Sequence, residues 1–368
     1  MKFSIKNIDL IKPLQKVASI IKKNCIYPIL SNLLIEISNG ILKLISTDLL
    51  VEIIVKTTIR PPYKNGSTTI SANKILSICN NINENEIINI ELNKNKISIK
   101  TNNNLSNFNI LTLPVNNFPN IKNWKEKIKF CISQKKIKNM IKSVKFSMAN
   151  NDVRNYLNGV LLEIKFDKII IIATDGHRLS KCCMKIKKSY INHSIIIPRI
   201  GILELEKIIE NKNEDLTILI NENNLRVEVE DTIFNTKLIE GLFPKYEKII
   251  SHKKENTFNI NNNKFKESLK RSSILANEKF CGIRLNIQKG KIIIFAKNNL
   301  QEEMKEKLYI NYMGKNTEIA INVNYILDIL NSTKSKEISF SFTDSKSSIY
   351  IKEINNNANM HLIMPLNL

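Results

Sequence analysis

NLLIEISNGILKLISTD (residues 32–48), GVLLEIKFDKIIIIATD (159–175) and GIRLNIQKGKIIIFAKN (282–298) are three versions of one pattern. Each alternates apolar and polar residues, turns, and alternates again, which predicts two antiparallel strands with a buried face. Gly40 and Gly290 mark two of the turns. Asp48, Asp175 and Asn298 close the three stretches at the same position, where a side-chain carbonyl oxygen readily organises a turn.

The similarity extends outward on both sides. Before each hairpin lies a short strand running into an amphipathic helix: FSIKNIDLIKPLQKVASII from Phe3, FCISQKKIKNMIKSVKFSMA from Phe130 and FNINNNKFKESLKRSSILA from Phe258. Leu10, Leu14, Val17 and Ile21, and again Ile137, Met140, Ile141 and Val144, fall at helical spacing. Pro13 is expected near the start of its helix, where a missing N–H costs least. After each hairpin come a second helix (from Ser71, Ile197 and Asn322) and further strands, KISIKT, LRVEVED and SIYIKE. Leu76, Leu203 and Leu327 hold one place in the three second helices. Each unit closes on a strand leading to proline: ILTLP, LIEGLFP and LIMP. The fold class expected is therefore α+β, as three tandem, structurally similar domains over residues 1–125, 126–253 and 254–368, joined by polar linkers near 123–127 and 251–256.

Composition narrows the function. Hydrophobic residues make up 43% of the 368 and charged residues 24%, proportions of an ordinary globular protein. No apolar run approaches the roughly 18 residues that span a bilayer, and MKFSIKNIDLIKPLQ lacks the pattern of a signal peptide. The six cysteines include no C-x-x-C pair, so a zinc site and a disulfide framework are disfavoured and a reducing cytoplasm is expected. The formal charge of +22 invites a polyanionic partner. Only seven of the 56 basic residues are arginine, and enrichment in Lys, Asn and Ile also suits an A-rich coding bias. Both sources of the charge stay open.

The stretches IKPLQKV (11–17), YPILSNLL (27–34), FSMANNDVRNYLNG (146–159), ATDGHRLS (173–180), FPKY (243–246), NEKFCGIRL (277–285) and TDSKSS (343–348) occur in one order along the whole chain. In this the sequence resembles the bacterial DNA sliding clamps, the beta subunits of the replicative DNA polymerase III. The resemblance implies the DNA clamp fold: a head-to-tail homodimer closed into a ring, helices inside and sheets outside, threaded by duplex DNA without regard to sequence. It implies a processivity factor of the holoenzyme, not an enzyme, with no cofactor and no metal. The partners implied are the polymerase III alpha subunit and its associated 3'-5' exonuclease complex, the delta subunit of the clamp loader, and other polymerases and repair proteins.

Carried onto this chain, the resemblance implies a peptide groove between the second and third domains. Its floor would be Leu157, Thr174, Leu179, Pro244, Ile249, Leu362 and Met364, with Gly176 permitting close approach and His177 and Arg178 forming a rim. Arg154, Asn322, Tyr325 and Ser348 would extend it, and Pro365, Leu366 and Leu368 would line its edge. The family's common ending Met-Pro-Met-Arg-Leu reads Met364-Pro365-Leu366-Asn367-Leu368 here, without the penultimate base. DNA-facing candidates are Lys12, Lys16, Lys22, Lys23, Lys138, Lys142, Arg199, Lys266 and Lys270. Dimer-seam candidates are Lys74, Phe108, Ile274, Leu275, Glu302, Glu303 and Glu306, the acidic run being interrupted by Lys305 and Lys307.

Two other classes fit the sequence less well. ATDGHRLS gathers Asp175, His177, Arg178 and two hydroxyls, yet His193, His252 and His361 lie in unrelated contexts and no metal-ligand spacing occurs, so catalysis on His177 is disfavoured. A basic repeat protein holding nucleic acid by direct affinity is disfavoured by the 7% aromatic content and the lack of a recognised RNA-binding signature.

Overall fold

The computed structural model describes residues 1–21, 27–101, 106–119, 124–186, 192–250, 255–277, 280–354 and 356–366, the last segment without the side chains of 356–357. In it the three quoted stretches form hairpins. The first repeat runs β1 (Lys2–Lys6), α1 (Asn7–Ala18), β2 (Asn32–Ser38), β3 (Ile41–Thr47), β4 (Val51–Thr58), β5 (Gly66–Ser71), α2 (Ala72–Asn80), β6 (Ile87–Asn93), β7 (Lys96–Thr101) and β8 (Asn107–Leu113). The second runs β9 (Ile128–Ser133), α3 (Gln134–Val144), β10 (Gly159–Lys165), β11 (Lys168–Thr174), β12 (Arg178–Lys185), β13 (His193–Pro198), α4 (Arg199–Ile208), β14 (Asp215–Ile220), β15 (Asn224–Val229) and β16 (Thr232–Lys237). A short α5 (Glu247–Ile250) precedes the third: β17 (Asn256–Asn261), α6 (Asn262–Ser273), β18 (Gly282–Gln288), β19 (Lys291–Lys297), β20 (Glu303–Tyr309), β21 (Thr317–Asn322), α7 (Val323–Ser332), β22 (Glu337–Phe342), β23 (Ile349–Glu353) and β24 (Asn356–Ile363).

Adding eight to a strand number gives its equivalent in the next repeat. The order β5-β2-β3-β4 recurs as β13-β10-β11-β12 and β21-β18-β19-β20, and β1-β6-β7-β8 recurs as β9-β14-β15-β16 and β17-β22-β23-β24. Every pairing is antiparallel, as hairpin connections require. Two edges are then joined: β4 pairs with β16, and β12 pairs with β24. The chain forms two compact units, residues 1–137 with 203–238, and residues 138–202 with 239–368. The first holds a twelve-stranded sheet; the second holds sheets of eight and four strands.

Local chemistry repeats with the topology. Asp48 accepts the N–H groups of Leu50 and Val51 at 3.0 and 2.7 Å, Asp175 those of His177 and Arg178 at 2.9 Å each, and Asn298 those of Leu300 and Glu302 at 3.0 and 2.9 Å. The turn-organising role expected of these three residues is what the structure has. A buried polar residue also opens each first helix. Asn7 donates to the carbonyls of Cys79 and Ile82 at 2.8 Å each, Gln134 accepts the Glu210 N–H at 3.0 Å, and Asn262 donates to Ser335 at 3.1 Å. These bonds tie the start of each first helix to the end of the second or the segment just past it.

Two expectations fail in detail. Pro13 is the seventh residue of α1, not a first-turn residue, because the anchor on Asn7 starts the helix early. The N–H it lacks would have reached Asp9, an exposed residue. The helix also stops at Ala18, so Ile21 lies beyond it and Ile20 enters the core instead. Leu76, Leu203 and Leu327 are each only half-buried; their neighbours Ile75, Ile202 and Ile326 are the core residues. Among the described residues no helix is long and apolar enough to cross a membrane.

Candidate peptide-docking cleft

β12 and β24 lie side by side with Leu179 opposite Leu362 and Arg178 opposite Ile363, and β23 continues the row with Tyr350 opposite Leu362. Side chains of one strand alternate between faces, so Leu179, Leu362 and Tyr350 share a face with Leu161 and Ile172 and form a common apolar cluster. The α5 segment lies over it, held by the Tyr350 hydroxyl, which donates to the Ile249 carbonyl at 2.6 Å. Beside this contact opens a cleft of about 200 Å³.

Eleven of the residues expected at the groove line it: Arg154, Leu157, Thr174, Gly176, His177, Arg178, Leu179, Pro244, Ile249, Leu362 and Met364. Leu157, Leu179 and Leu362 are buried beneath, whereas Pro244 and Met364 stand exposed. Tyr156, Phe243 and Tyr246 also line the cleft and were missed. The motifs VRNYLNG and FPKY carried the signal, since each sets an aromatic residue within two positions of a chosen one.

Other members stand differently from their expected roles. Thr174 is a turn builder: its hydroxyl donates to the Arg178 carbonyl at 2.7 Å and accepts the Gly176 N–H at 3.1 Å. Gly176 has φ +91°, and a Cβ there would sit 3.3 Å from the Arg154 guanidinium, so two constraints favour glycine. Arg178 is not a free rim cation. Nε donates to Asp175 at 2.9 Å, Nη1 to Asp328 at 2.6 Å and Nη2 to the Phe146 carbonyl, while the guanidinium lies 4.4 Å from the Tyr325 ring centroid. Tyr325 is thus the packing face for Arg178, and Asn322 caps α7 by accepting the Asn324 N–H at 2.9 Å. Neither lines the cleft.

The C-terminal segment is fixed at two points. Met364 donates its N–H to the His177 carbonyl at 2.8 Å, and Leu366 donates to Ala320 at 2.8 Å, leading Pro365 and Leu366 away from the lining. The Ser348 hydroxyl donates to the Met364 sulfur at 3.0 Å, which places Ser348 behind a lining residue. Leu368 lies outside the described residues. At the rim, Arg154 grips Asp152 through Nε and Nη2 at 3.0 and 2.9 Å, holding that carboxyl down to a pKa of about 2.

Beneath the cleft, on the opposite sheet face, His361 is fully buried. Its Nδ1 meets the Ser180 hydroxyl at 2.8 Å, which meets Ser147 at 2.7 Å. Among the described residues Nε2 has no hydrogen-bond partner. Burial pushes the imidazole down to a pKa of about 4. This Ser-Ser-His row is closed off from any substrate by its burial, so its chemistry is packing.

The chain matches, domain by domain, three family profiles: DNA polymerase III beta subunit, N-terminal domain over residues 1–122, central domain over 131–245 and C-terminal domain over 247–367. It belongs to the DNA polymerase III beta subunit family. The beta sliding clamp of Buchnera aphidicola subsp. Rhopalosiphum padi is 41% identical over 366 residues and that of Escherichia coli K12 36% identical over 368, each comparison covering 100% of both chains. The crystal structure of the DNA polymerase III subunit beta from Pseudomonas aeruginosa superposes with a TM-score of 0.97 at 34% identity, again over 100% of both chains. As a family, beta sliding clamps are processivity factors of DNA replication without catalytic activity.

The remaining candidates differ in exposure and in pairing. Lys12, Lys142 and Lys270 are exposed on α1, α3 and α6, and Lys138 and Lys266 are half-buried. Lys16 is engaged with Asp231 at 3.1 Å, and Arg199 donates to the Met148 carbonyl at 3.2 Å. Lys22 and Lys23 lie outside the described residues. Of the seam residues, Lys74, Phe108, Ile274, Glu302 and Glu303 are exposed, and Leu275 packs on the core of the third repeat. Glu306 is held by Arg271 of its own chain at 2.5 and 3.0 Å.

Proposed function

We propose that two copies of this chain close head to tail into a ring that encircles duplex DNA and tethers the replicative polymerase. The observation that carries this reading is an unpaired pair of edges. Twice in the chain the outer strand of one repeat's hairpin group joins the last strand of the next group: Ile53 stands opposite Phe234, and Ser180 opposite His361. The equivalent edges left over are β20 and the Asn107–Leu111 portion of β8, neither of which pairs there among the described residues. An edge strand with free N–H and C=O groups is a template for another chain. The apolar side chains near these edges are uncovered: Phe108 is 37% exposed, Leu111 65% and Ile274 77%.

Equivalence supplies the register expected of this contact. Val51, Arg178 and Glu302 each give a carbonyl to the residue that ends the preceding hairpin, so they correspond. Phe108, Phe234 and His361 correspond through their partners Ile99, Val227 and Ile351. Two residues on from the first set, Met304 is therefore opposite Phe108 of the partner subunit. A heterologous contact of this kind closes without leftover surface when two copies complete the circle. Introducing Phe108→Cys with Met304→Cys tests it. Oxidation is expected to give a covalently closed dimer on denaturing gels, and Phe108→Cys with Lys307→Cys is expected to stay monomeric. The reverse pattern contradicts the reading.

Within such a ring the three domains span residues 1–125, 126–253 and 254–368. Phosphates are met by a diffuse set of lysines, with Lys12, Lys142 and Lys270 the ones whose charge is exposed. A clamp that slides needs no base contacts; phosphate contacts carry no sequence information. Residence then depends on the closed ring and not on affinity. The cleft takes a short Leu/Phe-containing segment of the polymerase alpha subunit, of the loader's delta subunit, and of other polymerases and repair proteins. Two such side chains contribute about 3–6 kcal/mol before ordering costs, enough for exchange among partners. The ring works in the cytoplasm, at the replisome.

A further inference from the structure

The sheet face that carries the cleft continues along β10, β11 and β12 into a row of lysines. Lys165 stands opposite Lys168, and Lys168 opposite Lys185, so three lysines stand side by side across three strands. Lys181 lies four residues before Lys185 and two after the cleft residue Leu179, hence on the same face. Like charges directly opposite in a sheet destabilise it, so the row asks for an anion.

Two acidic side chains of the chain itself reach the row, both at Lys165. Glu163 accepts the Tyr246 hydroxyl at 2.5 Å and pairs with Lys165 at 3.1 Å, and Glu247 reaches the same lysine at 3.8 Å. Lys181 has no hydrogen bond or ion pair among the described residues; its ammonium sits 5.4 Å from the centroid of the Tyr246 ring, which lines the cleft. Burial, with Lys168 and Lys165 nearby, pulls the Lys181 pKa down. Lys168 and Lys185 likewise have no carboxylate partner among the described residues. This cationic shelf adjoins the apolar cleft through one shared aromatic ring, that of Tyr246.

We infer that the shelf of Lys165, Lys168, Lys181 and Lys185 receives carboxylates flanking the apolar motif of a docked peptide, so that this clamp selects acidic partner segments. The inference rests on the cleft being the docking site. Its specific element is charge complementarity with Lys168, Lys181 and Lys185, which have no carboxylate partner among the described residues, and this favours a peptide that enters the cleft over a nucleic acid strand that has no reason to do so.

The test uses the full chain and fluorescent peptides with one Leu/Phe core, extended at either end by three Glu or three Gln, titrated by anisotropy. The expected result is that the better Glu peptide binds about fivefold tighter than its Gln twin at low salt. The gap should shrink as salt rises and close in both Lys181→Met and Lys168→Gln, whose thermal melts serve as folding controls. Equal binding of Glu and Gln peptides at both ends overturns the inference while leaving the cleft intact. A gap that persists in both variants also overturns it. Failure of the Gln peptides to bind at all removes the cleft reading itself. Loss of DNA retention in the variants with unchanged peptide discrimination assigns the shelf to nucleic acid and overturns it too.

Discussion

The N–H of Met364 donates to the carbonyl of His177 at 2.8 Å, joining the chain's last segment to the loop that follows β11. Through this bond residues 187 positions apart in sequence shape one wall of the cleft. The sulfur of Met364, braced by Ser348 at 3.0 Å, is presented to the opening and not to the core.

Deleting residues 364–368 should therefore weaken peptide binding with little loss of stability. Met364→Ala removes a side chain that is 38% exposed at the cleft, and about tenfold weaker binding is expected from the apolar area it withholds from a ligand. Calorimetric titration with a Leu/Phe peptide reads this directly. Unchanged affinity in the deletion would separate the tail from the cleft.

Arg178 should behave as a structural pin. Replacing it with alanine leaves Asp175 and Asp328 without their shared cation, and a loss of about 3 kcal/mol is expected. Lysine rescues only part, because one ammonium cannot reproduce a planar fork bonded to two carboxylates and stacked on Tyr325. Urea unfolding of the three proteins checks the order wild type, Lys, Ala.

His361 should make stability fall in mild acid. Its folded-state pKa of about 4 lies below the unfolded value of 6.5, so the unfolded chain binds the proton more readily. The stabilisation is complete above pH 6.5 and is lost on descending toward pH 4, a drop of about 2 kcal/mol between pH 7 and pH 5 from this group. In His361→Asn that component of the pH dependence should vanish. An unaltered slope would mean that the histidine is not buried neutral.

Much of the fold was legible because the repeat is written twice over, in alternation and in turn chemistry. Asp48, Asp175 and Asn298 announced their turns, since a side chain that caps its own loop acts over three or four residues. What escaped depends on distance. Arg178 looked like a rim residue because Asp328, 150 positions away, and Tyr325 cannot be paired with it from spacing alone. Lys16 looked free for phosphate until the fold brought Asp231 beside it. The lysine shelf was invisible for the same reason: Lys165, Lys168 and Lys185 form a row only once strand register is known. Pro13 was misplaced because the helix start is set by Asn7 and its contacts near Cys79, not by the proline.

The central claim is that linkage, not adhesion, keeps this protein on DNA. The direct measurement loads the protein, with a clamp loader and ATP, onto nicked circular DNA at about 0.1 M salt, isolates the complex, and compares retention before and after a single cut linearises the circle. Retention on the circle and loss within minutes of cutting is the predicted result. Equal retention on both forms would contradict it.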